Sequence, residues 1–257
     1  MTEPALAAAR PRPLAGKAVL ITGAARRVGA VMARALHSAG ANLVLHYRSS
    51  AEEAAALARE LNSQRSDSAT SAAGDLLDPA AVKALAHTAV AAFGGLDMLV
   101  NNASSFYPTP LGDIEEDDWN DLIGTNLKAP LFLAQAVAPA LRERSGLIVN
   151  LADIHGMRPL RRYAVYCIAK AGLIMLTKSL ARDLGPQVRV NAIAPGPVMW
   201  PEDGIDEALR EKIIDRTALK RGGSAEDVAR ALLFFASEAP FVTGQILAID
   251  GGRSIGW

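Results

Sequence analysis

The chain has a single cysteine, Cys167, in 257 residues, so no internal disulfide can form and a reducing, cytoplasmic setting suits it. It has no excess of either charge. Lys+Arg and Asp+Glu number 27 each, which removes any bulk electrostatic reason to expect nucleic acid or an anionic membrane as partner. No apolar run approaches the roughly 18 residues that a membrane span needs. The four histidines, His37, His46, His87 and His155, fall in no metal-ligand spacing, so no metal is expected. Residues 1–13 lack a basic start and a long apolar centre, and read as a flexible tail, not a secretion signal. With no repeat and no linker-like shift in composition, residues 14–257 read as one domain.

What is present is a regular alternation. Apolar runs at 17–22, 42–46, 97–101, 147–151, 188–193 and 246–250 read as buried strands, and alanine-rich amphipathic segments at 28–39, 52–62 and 80–93 read as helices. Near-continuous apolar strands separated by helices predict an α/β fold: a doubly wound, Rossmann-like parallel sheet with helices on both faces. Ligands of such sheets sit beyond the carboxyl ends of the strands.

The first strand ends in Thr22-Gly23-Ala24-Ala25-Arg26-Arg27-Val28-Gly29 and runs straight into a helix. Gly23 suits the sharp turn, Gly29 suits close helix–sheet packing, and the helix start offers N–H groups to a pyrophosphate. Arg27 stands where a middle glycine is expected and can face the pyrophosphate or an anionic ring edge. The second strand ends His46-Tyr47-Arg48-Ser49-Ser50, with no carboxylate before Glu52. A carboxylate there would repel a 2′-phosphate, whereas Arg48 can pair with it and Ser49 and Ser50 can donate to it, so NADPH is preferred to NADH. One of these serines can instead cap the following helix. Asp75 can accept from an adenine amino group or close a turn.

Tyr166 and Lys170 lie four residues apart, on one helical face. A nearby ammonium favours the phenolate and is expected to bring the phenol into working range. Together with Asn101-Asn102-Ala103, Asn126, Asn191 to Gly196 and Asp250-Gly251-Gly252, the chain resembles the short-chain dehydrogenase/reductase family over nearly its whole length. The resemblance implies Tyr166 as proton donor and Lys170 as binder of the nicotinamide ribose. It implies that Asn126 holds a water leading to the lysine, and that Pro195 and Gly196 border the carboxamide. Arg26, Val28, His46, Tyr47, Leu76, Asn102 and Ala103 are implied around the cofactor, and a homotetramer as the assembly.

Three departures from the family pattern are Arg27 for glycine, Ser104 for glycine and Asp153 for serine. With the stretch Asn101 to Pro110 they resemble the pteridine reductase branch, which implies NADPH-dependent reduction of a dihydropteridine, with oxidised pterin as a further substrate. An ionised carboxylate beside a ketone oxygen would be a poor choice, whereas Asp153 can pass a proton to Tyr166 or donate one itself to a pterin. Phe106 can stack on a flat heterocycle, and Ser104 and Arg27 can hold its polar edge. Phe106 can equally be loop packing, and Asp153 a turn cap. Tyr163 and Cys167 read as lining or core, and Met199 and Trp200 as part of a loop that closes over substrate. A carbonyl or 3-oxoacyl reductase of the same fold, or a silent NADPH-binding sensor, are the competing readings.

Overall fold

The computed structural model describes residues 12–200 and 206–256. The apolar runs become strands because side chains that are apolar on both sides of a pleat need cover on both faces. β1 (Ala18–Ile21), β4 (Met98–Asn101) and β5 (Leu147–Leu151) are buried at every position. β2 (Asn42–Tyr47), β3 (Ala69–Ala73), β6 (Arg189–Pro195) and β7 (Ile246–Ile249) complete a seven-stranded sheet, ordered β3-β2-β1-β4-β5-β6-β7 with every neighbour parallel. The expected doubly wound fold is therefore the observed one.

One face of the sheet packs against α1 (Arg27–Ser38), α2 (Ala51–Gln64) and α8 (Ala225–Ser237), through Met32, Leu36, Leu57, Leu61, Leu232 and Phe235. The other packs against α3 (Pro79–Ala92), α5 (Ala129–Glu143) and α6 (Ala164–Leu184), through Leu85, Leu133, Val137, Leu141 and Leu184. Helix starts follow local chemistry. Asp78 accepts from the Ala80 N–H ahead of α3, with Pro79 in the first turn, and Ser224 and Asp227 form a capping box at α8. The helical stretch from 116 to 143 is divided. α4 (Glu116–Ile123) passes into a π-helical turn at Gly124–Lys128 before α5 begins. A short α7 (Glu207–Asp215) lies between β6 and α8.

α6 is long and apolar enough to cross a membrane by length and composition alone. Its setting is that of a core helix: it packs on β6, α4 and α5, and buries Tyr166, Lys170 and Thr177 against them. β1 and β4 are neighbours where the strand order reverses, and the crevice beyond their carboxyl ends is where a doubly wound sheet binds its ligand.

Candidate active site

The loop after β1 is fixed from three sides. Gly23 adopts φ +60, which glycine tolerates without a Cβ clash. A Cβ on Gly29 would overlap the Gly23 carbonyl oxygen and lie 2.8 Å from Asn102 Nδ2, so helix and loop meet only because none is there. Asn102 Nδ2 donates to the carbonyls of Thr22 and Gly23, both at 2.9 Å, while Thr22 Oγ1 accepts from the N–H groups of Asn102 and Ala103 at 2.9 and 3.0 Å. Asn102 thus ties the end of β4 to the loop with its side chain, and reaches the crevice only as lining. Thr22, which carries this junction, had only its place at a strand end to mark it.

His46 lines the same crevice and also supports its loop. Its ring is buried, Nδ1 accepts from the Gly23 N–H at 3.2 Å, and Nε2 lies 3.0 Å from the Gly74 carbonyl, which makes Nε2 the protonated nitrogen. Burial pushes its pKa down, against the smaller upward pull of the Gly74 carbonyl. Both ring nitrogens are spent on the loop, so His46 contributes to the cleft as lining.

A cleft of about 380 Å³ opens beyond this loop. Its walls include Gly23, Arg26, Arg27 and Val28 from the first loop, and Tyr47, Arg48, Ser49 and Ser50 from the end of β2. Asp75 and Leu76, then Ala103 and Ser104, close it. Arg48 and Ser49 are exposed at its mouth, and neither Ser49 nor Ser50 makes a side-chain hydrogen bond among the described residues. Ser50 begins α2 without capping it, so the capping alternative is not realised. Asp75 Oδ1 accepts from the Leu77 N–H at 3.0 Å, the turn-closing contact that was the other possibility for it. Arg26 forms an exposed ion pair with Glu53 at 3.7 Å. These residues fit NADPH: one cation and two uncommitted hydroxyls at the end of β2, no carboxylate there, and a helix start facing the middle of the cleft.

Next to the cleft stands the tyrosine–lysine pair. Tyr166 is 4 % exposed and Lys170 3 %, both on the inner face of α6. Tyr166 Oη donates to Asp153 Oδ2 at 2.8 Å, and Asp153 Oδ1 accepts from the His155 N–H at 2.7 Å. Lys170 Nζ donates to the Leu151 carbonyl at 2.8 Å and lies 5.6 Å from the centre of the Tyr166 ring. The net shift of the phenol is upward, not the downward one expected from Lys170 alone. Burial and then the Asp153 carboxylate hold Tyr166 well above its usual value, against a smaller downward pull from the nearby Ser104 hydroxyl. Burial also brings Lys170 down to about 8, with Asp153 pulling the other way. The phenol is therefore a protonated donor at neutral pH.

Ser104 Oγ donates to Asn126 Oδ1 at 2.6 Å, and Asn126 Nδ2 donates to the carbonyls of Ser105 and Leu122 at 2.9 and 3.0 Å. Asn126 lies inside the π-helical turn; one of its amide hydrogen bonds anchors that turn to the loop after β4 through Ser105, and the other ties it back to Leu122 in α4. Ser104 spends its proton on Asn126. Phe106 is half-exposed, but one of its faces is taken. It stacks on Tyr163 with centroids 4.7 Å apart and meets Tyr166 edge-on at 4.8 Å. A flat ligand could use only its other face. Cys167 is buried and accepts from the Leu160 N–H at 3.3 Å, as a core residue would. Pro195 ends β6 at the same edge of the sheet and Gly196 follows it, so close to Asp250 that a Cβ there would lie 2.7 Å from the aspartate Cβ. Trp200 reaches the first loop through its carbonyl, which accepts from Arg27 Nη2 at 3.2 Å. Among the described residues no cluster of metal-ligating side chains occurs.

A glycine-turned loop at a helix start, a crevice at the strand-order reversal and a buried phenol–carboxylate–ammonium group together define a dinucleotide-dependent oxidoreductase domain. The family model described as enoyl-(acyl carrier protein) reductase matches residues 23–254. The chain is 38 % identical over 240 residues to a 3-oxoacyl-(acyl-carrier-protein) reductase of Staphylococcus aureus, covering 92 % of this chain and 97 % of the relative. It is 37 % identical to pteridine reductase 1 of Leishmania tarentolae, covering 92 % and 96 %. Among solved structures, a short-chain dehydrogenase/reductase mutant from Serratia marcescens superposes with a TM-score of 0.89 at 31 % identity, covering 94 % and 99 %. A metagenomic blue fluorescent protein in complex with NADPH gives 0.88 at 31 % identity, with the same coverage. The chain belongs to the short-chain dehydrogenase/reductase family.

Proposed function

We propose that the chain is a cytoplasmic NADPH-dependent pteridine reductase that converts a dihydropteridine, and oxidised pterin as well, to the tetrahydro form, with residues 14–257 acting as one domain in a homotetramer. The observation that carries the substrate reading is Asp153, whose carboxylate takes a hydrogen bond from Tyr166 at 2.8 Å. A hydroxyl in that place would polarise a ketone oxygen, whereas a carboxylate would repel the negative charge that grows there during reduction. A ring nitrogen that gains a proton places no such demand. The uncovered face of Phe106 and the polar edge formed by Ser104 and Arg27 suit a flat, hydrogen-bonding heterocycle.

When bound, NADPH supplies the hydride that reduces a C=N bond of the ring. Tyr166, protonated because burial and Asp153 hold its pKa high, delivers the accompanying proton to the ring nitrogen. The phenolate left behind stands near the Lys170 ammonium, which attracts it until a proton returns. Asp153 keeps the hydroxyl aimed and rests on the His155 N–H while it does so.

The relative from S. aureus gives the competing reading, a 3-oxoacyl reductase. Steady-state kcat/KM with NADPH, measured on 7,8-dihydropteridines and on 3-oxoacyl thioesters, separates the two. We expect at least a tenfold preference for the dihydropteridine. Turnover of the thioester alone would overturn the substrate assignment.

A further inference from the structure

A chain of short polar side chains crosses the core beneath the site. Asn101, the last residue of β4, donates through Nδ2 to Asn150 Oδ1 at 2.8 Å. Asn150, in β5, donates through Nδ2 to Thr177 Oγ1 at 2.9 Å, and Thr177, in α6, donates to the Leu173 carbonyl at 2.8 Å. Asn150 and Thr177 are wholly buried, and Asn101 nearly so. Paired polar groups in a core add little stability over apolar side chains of the same shape, but their bonds have direction and apolar contact has none.

That direction bears on the phenol. β5 carries Asn150 and, three residues on, Asp153; α6 carries Thr177 and, eleven residues earlier, Tyr166. The Tyr166–Asp153 bond of 2.8 Å is therefore made by the same helix and the turn after the same strand as the Asn150–Thr177 bond. Among the described residues, α6 makes two side-chain hydrogen bonds to the sheet, from Thr177 to Asn150 and from Lys170 to the Leu151 carbonyl. The lysine reaches its acceptor on a long stem that can follow a moving helix. The threonine and asparagine are short, so their bond survives only at one position of α6 along its axis. At the other end of the chain, Asn101 precedes Asn102, which ties the loop after β1 and lines the cleft.

We propose that Asn150 and Thr177 are positioning residues: the chain Asn101–Asn150–Thr177 sets α6 along its axis against β4 and β5, so that Tyr166 meets Asp153 in register with the cleft. This rests on Tyr166 as proton donor, and not on which substrate takes the proton. A misplacement of the order of 1 Å at a reacting group is costly, and a buried chain of fixed bonds is what prevents it.

The test uses Thr177→Val, which keeps the shape and loses the hydroxyl, and Thr177→Ser, which keeps the hydroxyl. With whichever substrate the wild-type enzyme reduces, kcat should fall at least about tenfold in Thr177→Val and return to within about threefold of wild type in Thr177→Ser. The NADPH Kd should stay within about twofold, because the residues facing its phosphates are untouched. The fall of kcat/KM for NADPH through about pH 8 should move by at least about half a unit in Thr177→Val, since the burial of Lys170 and its distance from Asp153 both change. In the free protein, amide exchange at residues 164–172 should rise at least about fivefold, while residues 228–236 of α8, on the opposite face of the sheet, stay near wild type. Should Thr177→Val not accumulate as folded protein, Asn150→Leu with Thr177→Val leaves neither polar group facing an apolar one across that contact, and should show the same losses.

Wild-type kcat and pH profile in a folded variant, or exchange rising equally in α6 and α8, would make the chain a source of stability alone and overturn the proposal. That outcome leaves the reductase reading intact. Absence of wild-type turnover on either substrate class would sink that reading, and the exchange measurement, made without substrate, would still decide whether the chain holds α6.

Discussion

At the scale of single residues, the competition between burial and charge decides what Tyr166 and Lys170 can do. The ammonium at residue 170 is brought from 10.5 to about 8 by burial, which at about 1.4 kcal/mol per pKa unit corresponds to about 3 kcal/mol against folding at neutral pH. Lys170→Met removes that charge and also a hydrogen bond to Leu151 worth about 1 kcal/mol, so the free variant should gain about 2 kcal/mol at pH 7. The folded pKa lies below the unfolded one, so the penalty is complete below about 8 and fades as pH rises towards 10.5. Urea melts at pH 7 and pH 10 should show the variant's advantage shrinking; a variant less stable than wild type at pH 7 would contradict this. Turnover, in contrast, should drop at least about a hundredfold, because the phenolate loses its neighbouring cation. For the wild type, kcat/KM for NADPH, which reports the free enzyme, should fall as pH rises through about 8. Tyr166→Phe should leave the NADPH Kd within about twofold of wild type and reduce kcat at least about a hundredfold. The pair itself was legible as a four-residue spacing. The direction of the phenol's shift was not, because it depends first on the burial of Tyr166 beneath α6 and then on Asp153, thirteen residues away and brought alongside by the turn after β5.

Elements show how the crevice is held open. The alternation of buried strands and amphipathic helices was readable wherever a strand was strongly apolar, as in β1 and β5. β3 was harder to bound: Ala69–Ala73 lies at the sheet edge and carries small or polar side chains, so no apolar run marks its limits. The π-helical turn at Gly124–Lys128 was equally hidden, since one extra residue in a turn barely alters an apolar pattern with a period near 3.6. The same limit hid the work of His46, which joins the loop after β1 to the residue after β3. Burial lowers its folded pKa below the unfolded value, so its contribution is present above about pH 6.5 and is lost as pH falls through the folded pKa. His46→Ala should cost about 2 kcal/mol at pH 7.5 by leaving the Gly23 N–H and the Gly74 carbonyl without partners. Urea melts at pH 7.5 and 5.5 should also show a smaller acid loss than wild type, with His37, likewise lowered by burial, supplying the remainder. An undiminished acid loss in the variant would place the titration elsewhere.

The whole molecule presents apolar surface where its two long helices face outward. Phe132 on α5 is 42 % exposed, and Ile168 and Met175 on α6 are 51 % and 64 % exposed. The seven-residue spacing of Ile168 and Met175 puts them on one stripe of α6, away from Tyr166 and Lys170, which are buried beneath the same helix. A helix that is apolar on its outer stripe as well as its inner one is half of an interface, and closed symmetric assemblies are the usual way to cover it. This is the physical basis for the homotetramer proposed above, and it makes the assembly sensitive to charge on that stripe. Ile168→Glu with Met175→Glu places two carboxylates where apolar contact is expected, at positions already open to water in the single chain, so the fold itself should tolerate them. Light scattering after gel filtration should then give a mass below that of the wild-type assembly at the same concentration, with an unchanged far-ultraviolet dichroism spectrum. A wild-type protein already monomeric at micromolar concentration, or a double variant of unchanged mass, would show that this stripe of α6 is not the surface through which copies meet.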